Sequence, residues 1–238
     1  MNEHSWTFHI GPLYFDGTVT IMTFLTVAIV FALIYWASRD LQLKPKGKQN
    51  VLEWFVDFAG NVVKDNLPEK EVRNFQFITF SLFSFLLVAN NIGLVTKIVV
   101  GNETNLWKSP TADPVITLTL ALIVVLMASF MGVKRFGFKA YVANYGKPMK
   151  FLAVMNILEE FTNLLTLGLR LYGNIYAGEL LLSLIASVGN SHGILTLPLA
   201  IPLEILWTAF SVFISCIQAF IFVTLMNVYM SHKIVEEH

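Results

Sequence analysis

The chain has 238 residues, 55% of them hydrophobic and only 13% charged, and its 16 basic and 16 acidic side chains cancel. Apolar content this high with so little charge is membrane composition rather than that of an ordinary soluble core. Zero net charge without a basic patch gives nucleic-acid binding no support, and a single cysteine, Cys216, excludes an intrachain disulfide.

Other chemistries drop out by motif. The five histidines, His4, His9, His192, His232 and His238, show no paired metal-ligand spacing on a helix, so no metal is expected. There is no Gly-x4-Gly-Lys-Ser/Thr loop, no Gly-x-Gly-x-x-Gly and no Gly-x-Ser-x-Gly elbow, so neither nucleotide nor other cofactor binding is expected. Asn102-Glu-Thr104 fits a glycosylation sequon, a short and weak pattern.

The expected architecture is an all-α polytopic membrane protein forming a single membrane domain. Residues 1–17 lack lysine and arginine, so a signal peptide is not expected and 1–17 reads as an outer N-terminal segment. Residues 18–37 form the first uncharged run of spanning length, followed by Arg39 and Asp40. In 50–66, Val51, Leu52, Trp54, Phe55, Phe58, Val62 and Val63 alternate with Glu53, Asp57, Lys64 and Asp65 at near-helical spacing, which predicts an amphipathic helix at the membrane surface. The second span is expected over 75–96, polar near its end at Asn90-Asn91, and the third over 115–133, N-capped by Asp113 with Pro114 at the first helical position.

Two longer apolar stretches follow, 151–188 and 193–230, before a tail at 231–238. At 1.5 Å per residue each reaches about 57 Å as a helix, against a hydrocarbon core of about 30 Å. Each either breaks into a re-entrant hairpin or lies as one steeply tilted helix. The short connection near Gly189–Gly193 favours two long, tilted, antiparallel helices, with Pro198 and Pro202 tolerated near the start of the second. Of the basic residues, 13 fall in the loops after spans one and three and at the C-terminal end, two (Lys97, Lys108) lie on the other side, and the last is Arg170. That asymmetry places the N-terminus outside and the C-terminus in the cytoplasm, with five spans.

Arg170 is the only lysine or arginine from Phe151 through His232. A guanidinium does not lose its charge, and at bilayer depth it costs about 2.5 kcal/mol or more, so such residues usually serve ions, protons or voltage. Steps of three or four place Glu159, Asn163, Thr166, Arg170 and Asn174 on one helical face, whereas Glu179, nine positions on, points to nearly the opposite side. The two are therefore not a pair within one straight helix. Glu204, Thr208, Ser211, Ser215 and Gln218 form a similar ladder in the last helix. Such ladders suit proton or water passage; interhelical hydrogen bonding competes as an explanation for Thr166, Thr208 and Ser215, and snorkelling for Arg170, Glu179 and Glu204. Gly168, Gly173 and Gly178 recur every five residues and are expected to let a partner surface approach Arg170.

Leu167-Gly-Leu-Arg-Leu-Tyr-Gly-Asn-Ile-Tyr-Ala-Gly-Glu-Leu180 resembles the signature of subunit a of F-type ATP synthases. Ile217-Gln-Ala-Phe-Ile-Phe222 with Tyr229 and a Glu-Glu-His terminus, and Ser109-Pro-Thr-Ala-Asp113, look like two further patches of that family, so the similarity runs from about Phe75 onward. The resemblance implies a non-catalytic stator subunit of the cell membrane. It would sit beside a rotating ring of c subunits, tied to the b-subunit stalk and through the complex to the F1 head. Two offset aqueous half-channels would lead to the ring carboxylate, and Arg170 would face that carboxylate and block a direct leak. By the same resemblance Glu179 matches an outer half-channel acid, Gln218 the glutamine opposite the arginine, and Asn174 and Asn90 family polar positions. Glu159, Asn163 and Thr166 are candidates for the cytoplasmic-side pathway, and Asp113 joins the outer set.

The chain also departs from the pattern. Ser211 stands where some members have a histidine, Gly93 where some have an aspartate, and Leu164 where a proline is common. Glu204, two turns from Ser211, is expected to supply the missing protonatable group. A secondary transporter or channel with an intramembrane Arg/Glu pathway is the competing class, but it predicts internal repeats and the sequence has none.

Overall fold

The computed structural model describes residues 7–10, 13–39, 41–95, 99–100, 104–105, 109–144, 150–191 and 197–234. The expectations for the sequon at Asn102, for His4, His192 and His238, for Lys97, Lys108 and Lys147, for the connection at 192–196 and for the end of the tail lie outside these residues.

Helices dominate. α1 (Gly17–Ser38) is capped by Asp16, whose carboxylate accepts from the backbone N–H groups of Thr18 and Val19. α2 (Lys48–Asn66) and α3 (Glu69–Val95) follow, then α4 (Pro114–Phe136), α5 (Phe138–Asn144), α6 (Lys150–Ser191) and α7 (Leu197–Ile234). Two small antiparallel hairpins were not anticipated: Thr7–Ile10 pairs with Leu13–Asp16, and Val99–Val100 with Thr104–Asn105. α5 was not anticipated either. Gly137, with φ of 82°, ends α4 and lets the chain turn into it.

α6, with 42 residues, and α7, with 38, are each one continuous helix, with no re-entrant break. They run antiparallel. The Trp207 indole N–H near the start of α7 donates to the Gly178 carbonyl late in α6, while Lys233 at the end of α7 pairs with Glu160 early in α6 at 2.7 Å.

Four described helices are long and apolar enough to cross a membrane: Gly17–Ser38, Glu69–Gly93, Pro114–Phe136 and Ala200–Ile234. Five spans were expected. α6 is not among the four, and its apolar residues are interrupted by Glu159, Glu160, Asn163, Arg170, Asn174 and Glu179.

The core lies where α2, α3, α4, α6 and α7 meet, around Phe75, Leu86, Leu167, Leu171, Phe222, Val223, Met226 and Met230, all nearly inaccessible. Lipid tails are as apolar as leucine, so helix association here rests on close packing rather than on a hydrophobic drive. Small buried residues supply it: Ala121, Ala128 and Ala219 are almost fully covered. α2 is more than a surface float. Val62 and Val63 are buried, and Phe58 packs at a tilt against Phe83 of α3 and Phe220 of α7 at ring separations of 5.1 and 5.7 Å. Val51 and Trp54 at its start remain exposed.

Candidate functional site

The stripe expected on α6 lies along its open flank. Glu159, Thr166 and Arg170 are exposed, and Asn163 and Asn174 half-buried, while Leu167, Leu171 and Ile175 on the other side are fully covered. Among the described residues Arg170 makes no hydrogen bond or ion pair. Phe161, Leu169 and Tyr176 of the same helix are also exposed. Tyr229 of α7 lies within electrostatic range of both Arg170 and Glu159.

Glu179 turns the other way, as the nine-residue step requires. Its Oε1 accepts a hydrogen bond from the Ser109 backbone N–H at 3.2 Å. Ser109 lies just before a short 3-10 turn, Pro110–Ala112, packed between α3 and α6. Asp113 closes the turn and accepts from the Val115 N–H at 2.7 Å, so it is the N-cap of α4 that its position suggested.

The ladder on α7 divides. Glu204 is exposed and Thr208 half-buried, but Ser211, Ser215 and Gln218 are buried. There the Asn90 amide donates to the Ser215 carbonyl at 3.4 Å. Asn90 Oδ1, Asn91 Oδ1, Ser211 Oγ, Ser215 Oγ and Gln218 Nε2 are buried without a protein hydrogen-bond partner. The fold thus buries a polar seam, with Asn90 of α3 bonded to Ser215 of α7 and Ser211 and Gln218 buried along α7, and sets Glu179 against the turn that precedes α4. It does not join Gln218 to Arg170 by a hydrogen bond, nor Glu204 to Ser211.

At the opposite end, Glu160 accepts from Lys233 and from the Ser129 hydroxyl at 3.4 Å, and Lys233 lies over the Tyr141 ring, 5.5 Å from its centroid. Arg135 pairs with Glu71 at 3.1 Å. Glu159 and Glu160 are neighbours in sequence but differ in setting, one exposed on the flank and one engaged between helices.

The glycine expectation needs correction. Gly168 receives α4 of the same chain, not a partner: a Cβ there would lie 2.8 Å from Leu118 Cδ2 and 3.1 Å from its Cα. Gly178 is also buried, and only Gly173 is open. A step of five residues turns a helix through about 140°, so these glycines cannot share a face.

Sequence reasoning missed two features. One is a buried pair, Thr79 of α3 and Asn227 of α7, linked at 3.1 Å. The other is Ser109, whose hydroxyl bonds the Ala89 carbonyl at 2.6 Å and Thr111 at 2.8 Å. The signal for the second was present: a Ser-Pro dipeptide just before a cap, which holds the serine extended.

The arrangement of one uncompensated arginine on a flank, an acid held inside and a buried amide–hydroxyl seam accords with what known proteins resemble this chain. The family described as ATP synthase A chain matches residues 20–231. The chain belongs to that family. It is 59% identical over 238 residues to ATP synthase subunit a of Enterococcus faecalis and 62% identical over 239 residues to that of Enterococcus hirae, covering all of both. It is 47% identical over 237 residues to the Limosilactobacillus fermentum protein of the same name, again end to end. The role is therefore that of the proton-translocating membrane subunit of an ATP synthase, not of its catalytic subunit.

Proposed function

We propose that the chain couples proton flow to rotation by presenting Arg170 to a carboxylate on a neighbouring ring of c subunits, with one aqueous half-channel on each side of that contact. The observation that carries this reading is Arg170, exposed on the open flank of α6 and without an ion pair among the described residues. A fixed positive charge there favours the ionised form of a passing acid and repels a proton taking a direct route.

The outer half-channel is assigned to Glu179 with the seam of Asn90, Ser211, Ser215 and Gln218. A buried amide or hydroxyl without a partner costs about 1–3 kcal/mol, so this seam is chemically suited to bound water. Asn174 lies between Arg170 and Glu179 along α6, and Asp113, the cap of α4, is assigned to the outer side. Glu204, exposed near the start of α7, is the entry acid. Glu159, Asn163 and Thr166 line the route on the cytoplasmic side, toward the basic loops.

In this reading α6 is the fifth span. At 42 residues it reaches about 63 Å, so both long helices lie steeply tilted, curving beside the ring. The 13 basic residues on one side orient the N-terminus outward and the C-terminus to the cytoplasm of a bacterial cell, where the b-subunit stalk and F1 head attach. The test is ATP-driven proton pumping in inverted membrane vesicles. Arg170→Ala abolishes it, and normal pumping in that variant overturns the assignment.

A further inference from the structure

We propose that Gly93 and Ser109 form a seat that holds the Glu179 carboxylate in place, making both positioning residues for proton transfer at that acid. The proposal rests on the reading of Glu179 as the outer-side acid given above.

The seat is built from three elements. Pro110 disfavours the helical region for the residue before it, and Ser109 is extended, with φ of −59° and ψ of 131°. Its N–H thus serves no helical turn and is free to reach Glu179 Oε1 at 3.2 Å. Its hydroxyl is tied to the Ala89 carbonyl of α3 and to Thr111, and both Ser109 and Thr111 are fully buried. The direction of the amide is therefore set by α3. Gly93 lies one turn further along the same helix. A Cβ built on it would collide with Glu179 Oε1, and would stand 2.6 Å from the Ser109 nitrogen and 2.8 Å from its Cβ. The Ser109 backbone is anchored and cannot retreat, so the space over Gly93 is the space the carboxylate uses.

The charged surroundings are sparse. α3 from Phe75 through Val95 and α4 from Pro114 through Val133 carry no charged residue. Around the turn the titratable groups are Asp113, engaged in its cap, Glu204 on α7, which is exposed, and Arg170 nine residues back on α6. Lys97, Glu103 and Lys108 lie outside the described residues. The Ser109 N–H is a dipolar partner of the acid that does not itself titrate.

A glycine kept only for helix packing would tolerate or reject a methyl regardless of what stands at 179. A seat makes the two positions interdependent. The experiment is ATP-driven proton pumping by vesicles carrying the whole complex, with the chain quantified by immunoblot, for Gly93→Ala, Glu179→Asp and the double variant. Gly93→Ala is expected to lower pumping about tenfold or more. In the double variant the shorter acid relieves the collision at Oε1, though not the one at Ser109, so the losses fall short of their product by about fivefold or more. Independent losses, or unchanged pumping in Gly93→Ala, overturn the seat. Where Gly93→Ala does not accumulate, Ser109→Ala decides: loss of the hydroxyl anchor displaces the pH profile of pumping at an unchanged level of assembled complex, and a wild-type profile overturns the proposal. Glu179→Gln separates the two claims. Full pumping in that variant sinks the reading of Glu179 itself, whereas its loss together with independent effects at 93 and 179 sinks the seat alone.

Discussion

Asn227 of α7 and Thr79 of α3, 148 positions apart in the chain, share a fully buried hydrogen bond in which the amide donates to the hydroxyl at 3.1 Å. The same amide also donates to the Val223 carbonyl at 2.8 Å. The pair fixes the rotation of α7 against α3, and so the approach of Ser215 to Asn90. Removing one partner strands the other, whereas removing both leaves nothing unpaired. Asn227→Leu is expected to destabilise the detergent-solubilised protein by about 1–2 kcal/mol. Thr79→Val combined with Asn227→Leu recovers part of that loss. Thermal unfolding followed by aggregation checks the order of the three proteins.

Arg170→Lys keeps a positive charge but exchanges a planar fork for a point charge that can lose its proton in apolar surroundings. Pumping is expected to fall by at least about tenfold in this variant, with some activity retained relative to Arg170→Ala. Vesicle acidification on addition of ATP measures both. Equal pumping by the lysine variant and the wild type would show that charge alone suffices.

Glu204 is exposed two turns before Ser211 on α7, at the level where Trp207 meets Gly178. As the entry acid of the outer route it is expected to lose several-fold in pumping as Glu204→Gln, in the range of about 10²-fold or less for a single proton-transfer group. Wild-type coupling in that variant would refute the relay role, leaving Glu204 as an interfacial carboxylate.

Glu160 ties three helices together through Lys233 and Ser129. The ion pair is partly accessible, with side-chain exposures of 28% and 23%, so its stabilisation is held to about 1 kcal/mol or less. Glu160→Lys sets two cations side by side and is expected to lower the thermal midpoint. Adding Lys233→Glu restores most of the loss, and additive effects of the two changes would show that the pair contributes nothing.

Phe58 holds α2 to two helices at once through Phe83 and Phe220. Truncation to alanine is expected to cost about 2–3 kcal/mol, less than a fully enclosed phenylalanine because Phe58 is only partly buried. Limited proteolysis of α2 in vesicles is the measurement: faster cleavage in Phe58→Ala supports the aromatic clasp, and unchanged cleavage removes it.

Much of this architecture was legible from local sequence. Apolar runs marked α1, α3, α4 and α7, and Asp113-Pro114 marked the start of α4, because span length and capping are properties of contiguous residues. The three-to-four-residue step put Arg170 and Glu179 on different sides of α6, and the structure keeps them apart. Periodicity could not say what each side meets. Gly168, expected to face a partner, meets Leu118 of the same chain. Ser211, Ser215 and Gln218 continue the stripe of Glu204, yet they are buried while Glu204 is exposed.

The sequence by itself determined that this is a membrane protein with a charge held in an apolar helix, and which polar residues share that helix. Only the tertiary structure decided that Glu179 rests on the Ser109 amide over Gly93, that Asn90 joins the last helix, and that Thr79 and Asn227 lock two helices in register. The physical reason is that helix periodicity assigns a side chain to a face from its neighbours within two turns. A hydrogen bond or a close approach between helices depends on the relative rotation and depth of elements far apart in the chain, which no local pattern encodes.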